Sequence, residues 1–312
     1  MKISFRSSAI QLAVVLGLLL LALTPAAKAQ LNWDGQTGAF ATPFAYVASS
    51  ENDKIGHPEV AFHYLNGGDV IGNDYQVSLT VGLFKVTEFG YTGSLSSTGS
   101  SPLTGLFQGG YNVFHGKVNV IPENIHGTKW VPAVSGGFVT RFGVERVARA
   151  PLAAELGSPL AGHSSNNQDL YIVATKTITQ IPHLPIVLNG GYKWTNAQIM
   201  GIAGNAPDYA HTAFGTVAFV VHAPAKTTLI LGAEIQQQPR YLEGLYVSEV
   251  GGPTIPATLV YFVRAVPSKL PFNVDFGIGQ IAGKITPGID DVLPAVDLKA
   301  RAQAAVGITY HF

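Results

Sequence analysis

Between Tyr75 and Phe84 the chain reads YQVSLTVGLF. Tyr75, Val77, Leu79, Val81 and Leu83 fall on one parity, and Gln76, Ser78, Thr80 and Gly82 on the other. Successive side chains of a strand point to opposite faces, so this segment offers one apolar and one polar face. The pattern recurs. Leu184, Ile186, Leu188, Tyr192 and Trp194 stand against Asn189, Gly191 and Lys193, and Leu229, Leu231, Ala233 and Ile235 against Gly232, Glu234 and Gln236. Phe272, Val274, Phe276 and Ile278 stand against Asn273, Asp275, Gly277 and Gly279. Helical spacing fits none of these segments. Residues 209–221 are apolar on both parities and read as a strand on length and β-branching. The chain closes on Ala302, Ala304, Val306, Ile308, Tyr310 and Phe312, interleaved with Arg301, Gln303, Ala305, Gly307, Thr309 and His311. A soluble β-sandwich also alternates, so the choice between lipid and a protein core rests on other features.

The N-terminus is one of them. Lys2 and Arg6 precede an apolar run from Ala9 to Leu23, followed by Thr24-Pro25 and the small-x-small site of Ala27 and Ala29. This is the layout of a cleaved secretory signal peptide over 1–29. The run is short of the ~20 residues of a spanning helix, and no later run approaches that length. There is no cysteine, which excludes both a lipidated cleavage-site Cys and a disulfide framework. Nineteen basic residues less Lys2, Arg6 and Lys28 leave 16 against 19 acidic ones, a net charge of −3. That balance gives no footprint for nucleic acid. Charged residues make up 12% of the chain, about half the usual share in soluble domains. An exported, apolar, Gly-rich chain without membrane helices fits a transmembrane antiparallel meander β-barrel, whose apolar residues lie one in two along many strands.

Loop lengths support the barrel. If the last strand, about 301–312, ends in the periplasm, the connections read backwards alternate: 282–300 long, 267–271 short, 239–257 long, 222–225 short, 195–208 long, 179–182 short, 146–167 long. Then 122–131 is intermediate and 94–109 long. Short periplasmic turns and longer outer loops are the habit of bacterial barrels. Twelve strands are counted from residue 58 onward. Residues 39–48 would make a thirteenth, but barrels close with even numbers and Pro43 is awkward inside a paired strand. The expectation is an all-β barrel of 12 strands over 58–312, with 14 as the alternative. Residues 30–57 are left as either a plug or an extra strand.

The terminal Tyr310 and Phe312 resemble the signal by which bacterial outer-membrane barrels are recognised for assembly. The resemblance implies a Gram-negative outer-membrane location, with membrane lipid and the barrel-assembly machinery as partners. The stretches GQTGAFATPFA (35–45), 116–138, 169–178 and 229–235 are similar to the YjbH-like barrels associated with exopolysaccharide secretion. That similarity implies polysaccharide as a candidate cargo beside small polar solutes.

No catalytic group emerges. His163, Ser164 and Ser165 lie in a polar loop, and no nucleophile elbow is present. His57, His63 and Glu59 share a parity without further metal-ligand support, and Gly288–Asp291 lacks calcium-loop spacing. No cofactor or metal is expected. The charged residues of the polar parity do form a set: Glu88, His115, Lys117, Arg141, Glu145, Lys176, Lys193, Glu234, Gln236, Asp275, Arg301 and Gln303. Arg or Lys at mid-membrane costs about 2–4 kcal/mol on the lipid side, so these side chains are expected to line the lumen. The expected function is a pore or secretion-linked channel, with a non-conducting structural or surface-interaction barrel as the alternative.

Overall fold

Each alternating segment pairs with its neighbour in sequence, and the last returns to the first. The computed structural model describes residues 30–51, 54–68, 72–97, 110–143, 166–181, 184–197, 201, 205–223, 226–239, 254–284 and 302–312. Its strands are β1 (Glu59–Asn66), β2 (Asn73–Leu83), β3 (Thr87–Ser96), β4 (Tyr111–Ile121), β5 (Ala133–Phe142) and β6 (Asn167–Ile178). They continue as β7 (Ile186–Ala197), β8 (Asn205–Ala223), β9 (Thr227–Gln237), β10 (Thr254–Pro267), β11 (Phe272–Lys284) and β12 (Gln303–His311). All pair antiparallel in chain order. β1 closes the sheet on β12, with Glu59 opposite His311 and Leu65 opposite Ala305. Closure leaves no sheet edge unpaired, the condition for a sheet to cross lipid.

The two faces are inverted relative to a soluble protein. Outward positions are large and apolar: Leu79, Phe89, Ile172, Tyr192, Tyr261 and Phe276 are all exposed, the last at 60%. Inward positions are buried and mostly polar, among them Gln76, Ser78, Thr80, Glu88, Lys117 and Arg141. A soluble monomer rarely exposes so continuous an apolar band. A transmembrane 12-strand meander accounts for both faces, and among the described residues no second sheet packs on the first.

The two rims differ. Residues 84–86, 224–226 and 268–271 are tight connections, and 122–132 and 179–185 somewhat longer ones; β12 ends and β1 begins on this short-turn rim. At the opposite rim the strand ends leave 97–110, 143–166, 238–253 and 285–302 between them, and a short connection, 67–72, between β1 and β2. One expected long connection is shorter: β7 and β8 extend toward each other and leave 198–204 between them, with a register shift between Thr195 and Ala197. Residues 39–48 belong to no wall strand. They lie inside.

Candidate functional site

Residues 30–43 are all buried, although they form no regular element. Local hydrogen bonds shape them. The Asn32 side-chain oxygen accepts from the Asp34 and Gln36 amides at 3.1 and 2.9 Å. Gly35 takes φ +87° at the tip, a backbone value that favours glycine. Leu31 bridges Thr37 and Gly38 bridges Pro43, which folds the segment back on itself.

The wall then holds this segment by its backbone. Glu234 on β9 accepts from the amides of Phe40 (2.7 Å), Ala41 (3.0 Å) and Thr42 (2.7 Å), and from the Thr42 hydroxyl at 2.7 Å. Glu88 on β3 accepts from the Thr37 amide and hydroxyl and the Ala48 amide. Lys117 on β4 pairs with Glu88 at 2.9 Å and donates to the Thr37 and Phe44 carbonyls. Arg264 on β10 pairs with Asp275 on β11 at 2.9 Å and donates to the Gly38 and Ala39 carbonyls. Arg141 on β5 grips Asp34, and Gln30 donates to Asp275. Asn119, Thr175 and Asn189 complete the ring through Ala45 and Pro43. An irregular segment cannot satisfy its own amides and carbonyls, so the polar inner wall does it.

Two apolar clusters add to these contacts, one around Trp33 and Phe40 and one around Ala45 with Tyr111, Tyr171 and Phe214. Trp33 and Phe40 lie with their rings 6.0 Å from His63, in a cluster with Leu65, Val187, Val260 and Phe262. Gly82 lets the segment leave along the wall, because a Cβ there would meet the Ala48 carbonyl. At the short-turn rim the Tyr46 hydroxyl donates to Glu123 at 2.9 Å and lies 2.9 Å from the Thr177 hydroxyl. Burial pushes the Tyr46 phenol up, so it stays a donor. Below it opens a cavity of about 680 Å³ bounded by Tyr46, Ser49, Lys54, Glu59, Glu123 and Phe312. Residues 54–56 run along this rim, with Gly56 donating to the Gly82 carbonyl.

The residues singled out in the sequence distribute as follows. Glu88, His115, Lys117, Arg141, Lys193, Glu234, Gln236 and Asp275 are buried inside the wall. Most of them meet residues 30–48 rather than open space. Gln303 is half-buried near one end of β12. Lys176 is a correction: it shares its parity with Leu170, Ile172 and Ala174, the outward face of β6. It sits near the short-turn rim, where the 122–132 connection supplies Glu123 (2.9 Å) and Asn124 (2.6 Å) as partners. Glu145, Arg301, Ala27 and Ala29, the loop of His163, Ser164 and Ser165, and Gly288–Asp291 lie outside the described residues. His57 is exposed, whereas His63 is enclosed by rings. Glu59 lies 3.8 Å from His311. Sequence reasoning missed Asp34, Asp169 and Arg264. The last two carry the inward parity of their strands and were legible. Asp34 lies in a segment without periodicity.

The family model described as "Protein of unknown function (DUF3034)" matches residues 28–250. No curated protein matches the sequence. Among solved structures the chain is similar to a KdgM porin, at 9% identity over 81% of this chain and 99% of that one, with a TM-score of 0.45. It is similar to the COG4313 outer membrane channel from Pseudomonas putida F1, at 10% identity over 87% and 99%, TM-score 0.44. It is also similar to LpxR from Salmonella typhimurium, at 11% identity over 81% and 100%, TM-score 0.45. The chain belongs to the DUF3034 family by the match to its model.

Proposed function

We propose that this DUF3034 protein is an outer-membrane channel for small polar solutes, held closed by its own residues 30–48. One observation carries the reading: the wall fastens that segment through polar side chains that water could equally well solvate. Eight strands leave an interior that side chains alone fill, and twelve enclose more. A permanent filling would be cheaper with apolar partners, because desolvating ion pairs costs as much as their attraction returns. A wall lined by Glu88, Lys117, Arg141, Lys193, Glu234, Arg264 and Asp275 is suited to both states, segment in or water in. Residues 49–58 tie the segment to β1; with the Ile55–Leu83 bridge and the Gly56–Gly82 bond released they would span about 33 Å, enough to let it swing out toward the short-turn rim.

Export by a signal peptide over 1–29 and assembly through Tyr310 and Phe312 support an outer-membrane location, with its lipid and the barrel-assembly machinery as partners. Polysaccharide as cargo rests on the YjbH-like resemblance alone, part of which (35–45) falls in the inserted segment. We assign no catalytic step, cofactor or metal.

Planar-bilayer recording of the refolded full chain beside a chain lacking 30–48 tests the proposal. Steady conductance in the truncation and rare openings in the full chain are expected. Silence from a folded truncation would favour the second reading, a non-conducting structural or surface-interaction barrel, to which the filled interior also lends itself.

A further inference from the structure

We infer that Arg141, with Lys193 and Asn167 beside it, is a binding site for small solutes bearing a single carboxylate, and that Asp34 occupies it as a built-in stand-in. The inference rests on the channel reading above and names the solute class for the same interior.

The contact has the form of ligand recognition. Arg141 Nε donates to Asp34 Oδ1 at 3.1 Å and Nη2 to Oδ2 at 2.7 Å. Two parallel bonds from one planar guanidinium are how arginine reads a carboxylate. Nη1 donates to Asn167 at 3.0 Å, which fixes the fork in place.

Charge accounting separates this cluster from the other two. Lys117 has Glu88 on the neighbouring strand and Arg264 has Asp275, so both pairs stay neutral when the inserted segment leaves. Arg141 and Lys193 instead share one wall carboxylate, Asp169, at 3.2 and 3.3 Å. Among the described residues the balancing carboxylate is Asp34, which comes from the segment. Among the described residues, withdrawal of the segment leaves two cations against one anion in a fork already shaped for a carboxylate. A monoanion restores the balance.

The site lies close to the long-loop rim, beneath Gly201, which packs against the Arg141 guanidinium and accepts from Asn167 at 3.4 Å. Arg141 is the penultimate residue of β5 and Asn167 the first of β6, at the long-loop rim. Asp34 lies at the turn of the segment beside Gly35, well removed from the 49–58 tether. Of the three charged clusters it is the one nearest the long-loop side. A carboxylate that takes the fork leaves Asp34 without its partner and weakens docking of the segment. Binding and opening are then reciprocally coupled.

The test is open probability of the full chain in planar bilayers at constant ionic strength, with sodium glucuronate, acetate, glucose or inorganic phosphate added on the long-loop side. Glucuronate and acetate should raise it saturably, by about tenfold, a moderate allosteric coupling. Glucose should do nothing. Asp34→Asn keeps the shape of the turn and should raise the basal open probability by a similar factor while flattening the glucuronate response. Arg141→Lys keeps the charge without the fork and should weaken the response to carboxylates. A truncation lacking 30–48 runs alongside. If it conducts while glucuronate and Asp34→Asn both leave the full chain closed, the inference is overturned and the channel reading stands. If the truncation is silent, both fall. If phosphate opens the channel as well as glucuronate does, the carboxylate assignment is overturned.

Discussion

Glu234→Gln should loosen the inserted segment without touching the barrel wall. Among the described residues, the hydrogen bonds drawn to the Glu234 carboxylate come from residues 40–42: three amides and the Thr42 hydroxyl. Glutamine keeps one acceptor oxygen and turns an amino group toward the remaining donors. The Phe40 and Ala41 amides can keep the oxygen, and the Thr42 hydroxyl can turn to donate to Thr216 and accept from the new amino group, whereas the Thr42 amide would face a donor. Each buried donor left unsatisfied costs about 1–3 kcal/mol. One such amide, at the middle of that range, gives about 2 kcal/mol, or roughly a 30-fold shift at 1.36 kcal/mol per decade. Open-state hydration of the lost carboxylate works the other way and is contained in the net figure. The assay is open probability in planar bilayers. A second readout is iodide quenching of Trp33, buried at 2% exposure, in a Trp130→Phe/Trp194→Phe background. Frequent openings and a newly quenchable Trp33 are expected. A folded variant that stays closed with Trp33 shielded would refute the reasoning that the carboxylate latches the segment.

Other outcomes follow from the same wall and belt. Lys117→Met leaves Glu88 buried without its cation, and should cost about 3–5 kcal/mol, seen as a lower urea midpoint; adding Glu88→Gln should recover most of it. Phe276→Arg places a charge on the lipid face and should cost about 2–4 kcal/mol near the midplane, again by urea titration in vesicles. Removal of Phe312 should lower the folded, heat-modifiable fraction in cells while leaving refolding in detergent intact; equal loss in both would point to a stability role instead.

How much of this was legible in the sequence depends on which solvent each face meets. On β2, Tyr75 to Leu83 meet lipid and Gln76 to Thr80 meet polar atoms, so parity alone gives the orientation. On β8 the inward Phe214 and Ala218 join apolar clusters inside the barrel, so both faces read apolar. Lys176 misleads because a rim turn reaches a position whose parity faces outward. Residues 39–48 imitate a strand because Ala39, Phe40 and Ala41 are apolar for interior packing. The core of the site was the least visible. Asp34 and Arg141 lie 107 residues apart and meet only through closure of the barrel around the segment. No local pattern encodes that pairing.

The absence of native cysteine allows the central claim to be tested by a reversible lock. The Thr42 and Thr216 hydroxyls stand 2.6 Å apart, one on the inserted segment and one on β8. That separation brings the two side chains within reach of a disulfide. Thr42→Cys/Thr216→Cys in the Glu234→Gln background should be silent in planar bilayers when oxidised and should regain the Glu234→Gln conductance on reduction. Equal conductance before and after reduction, with the bond shown by gel shift to have formed and then broken, would contradict the claim that residues 30–48 close this barrel.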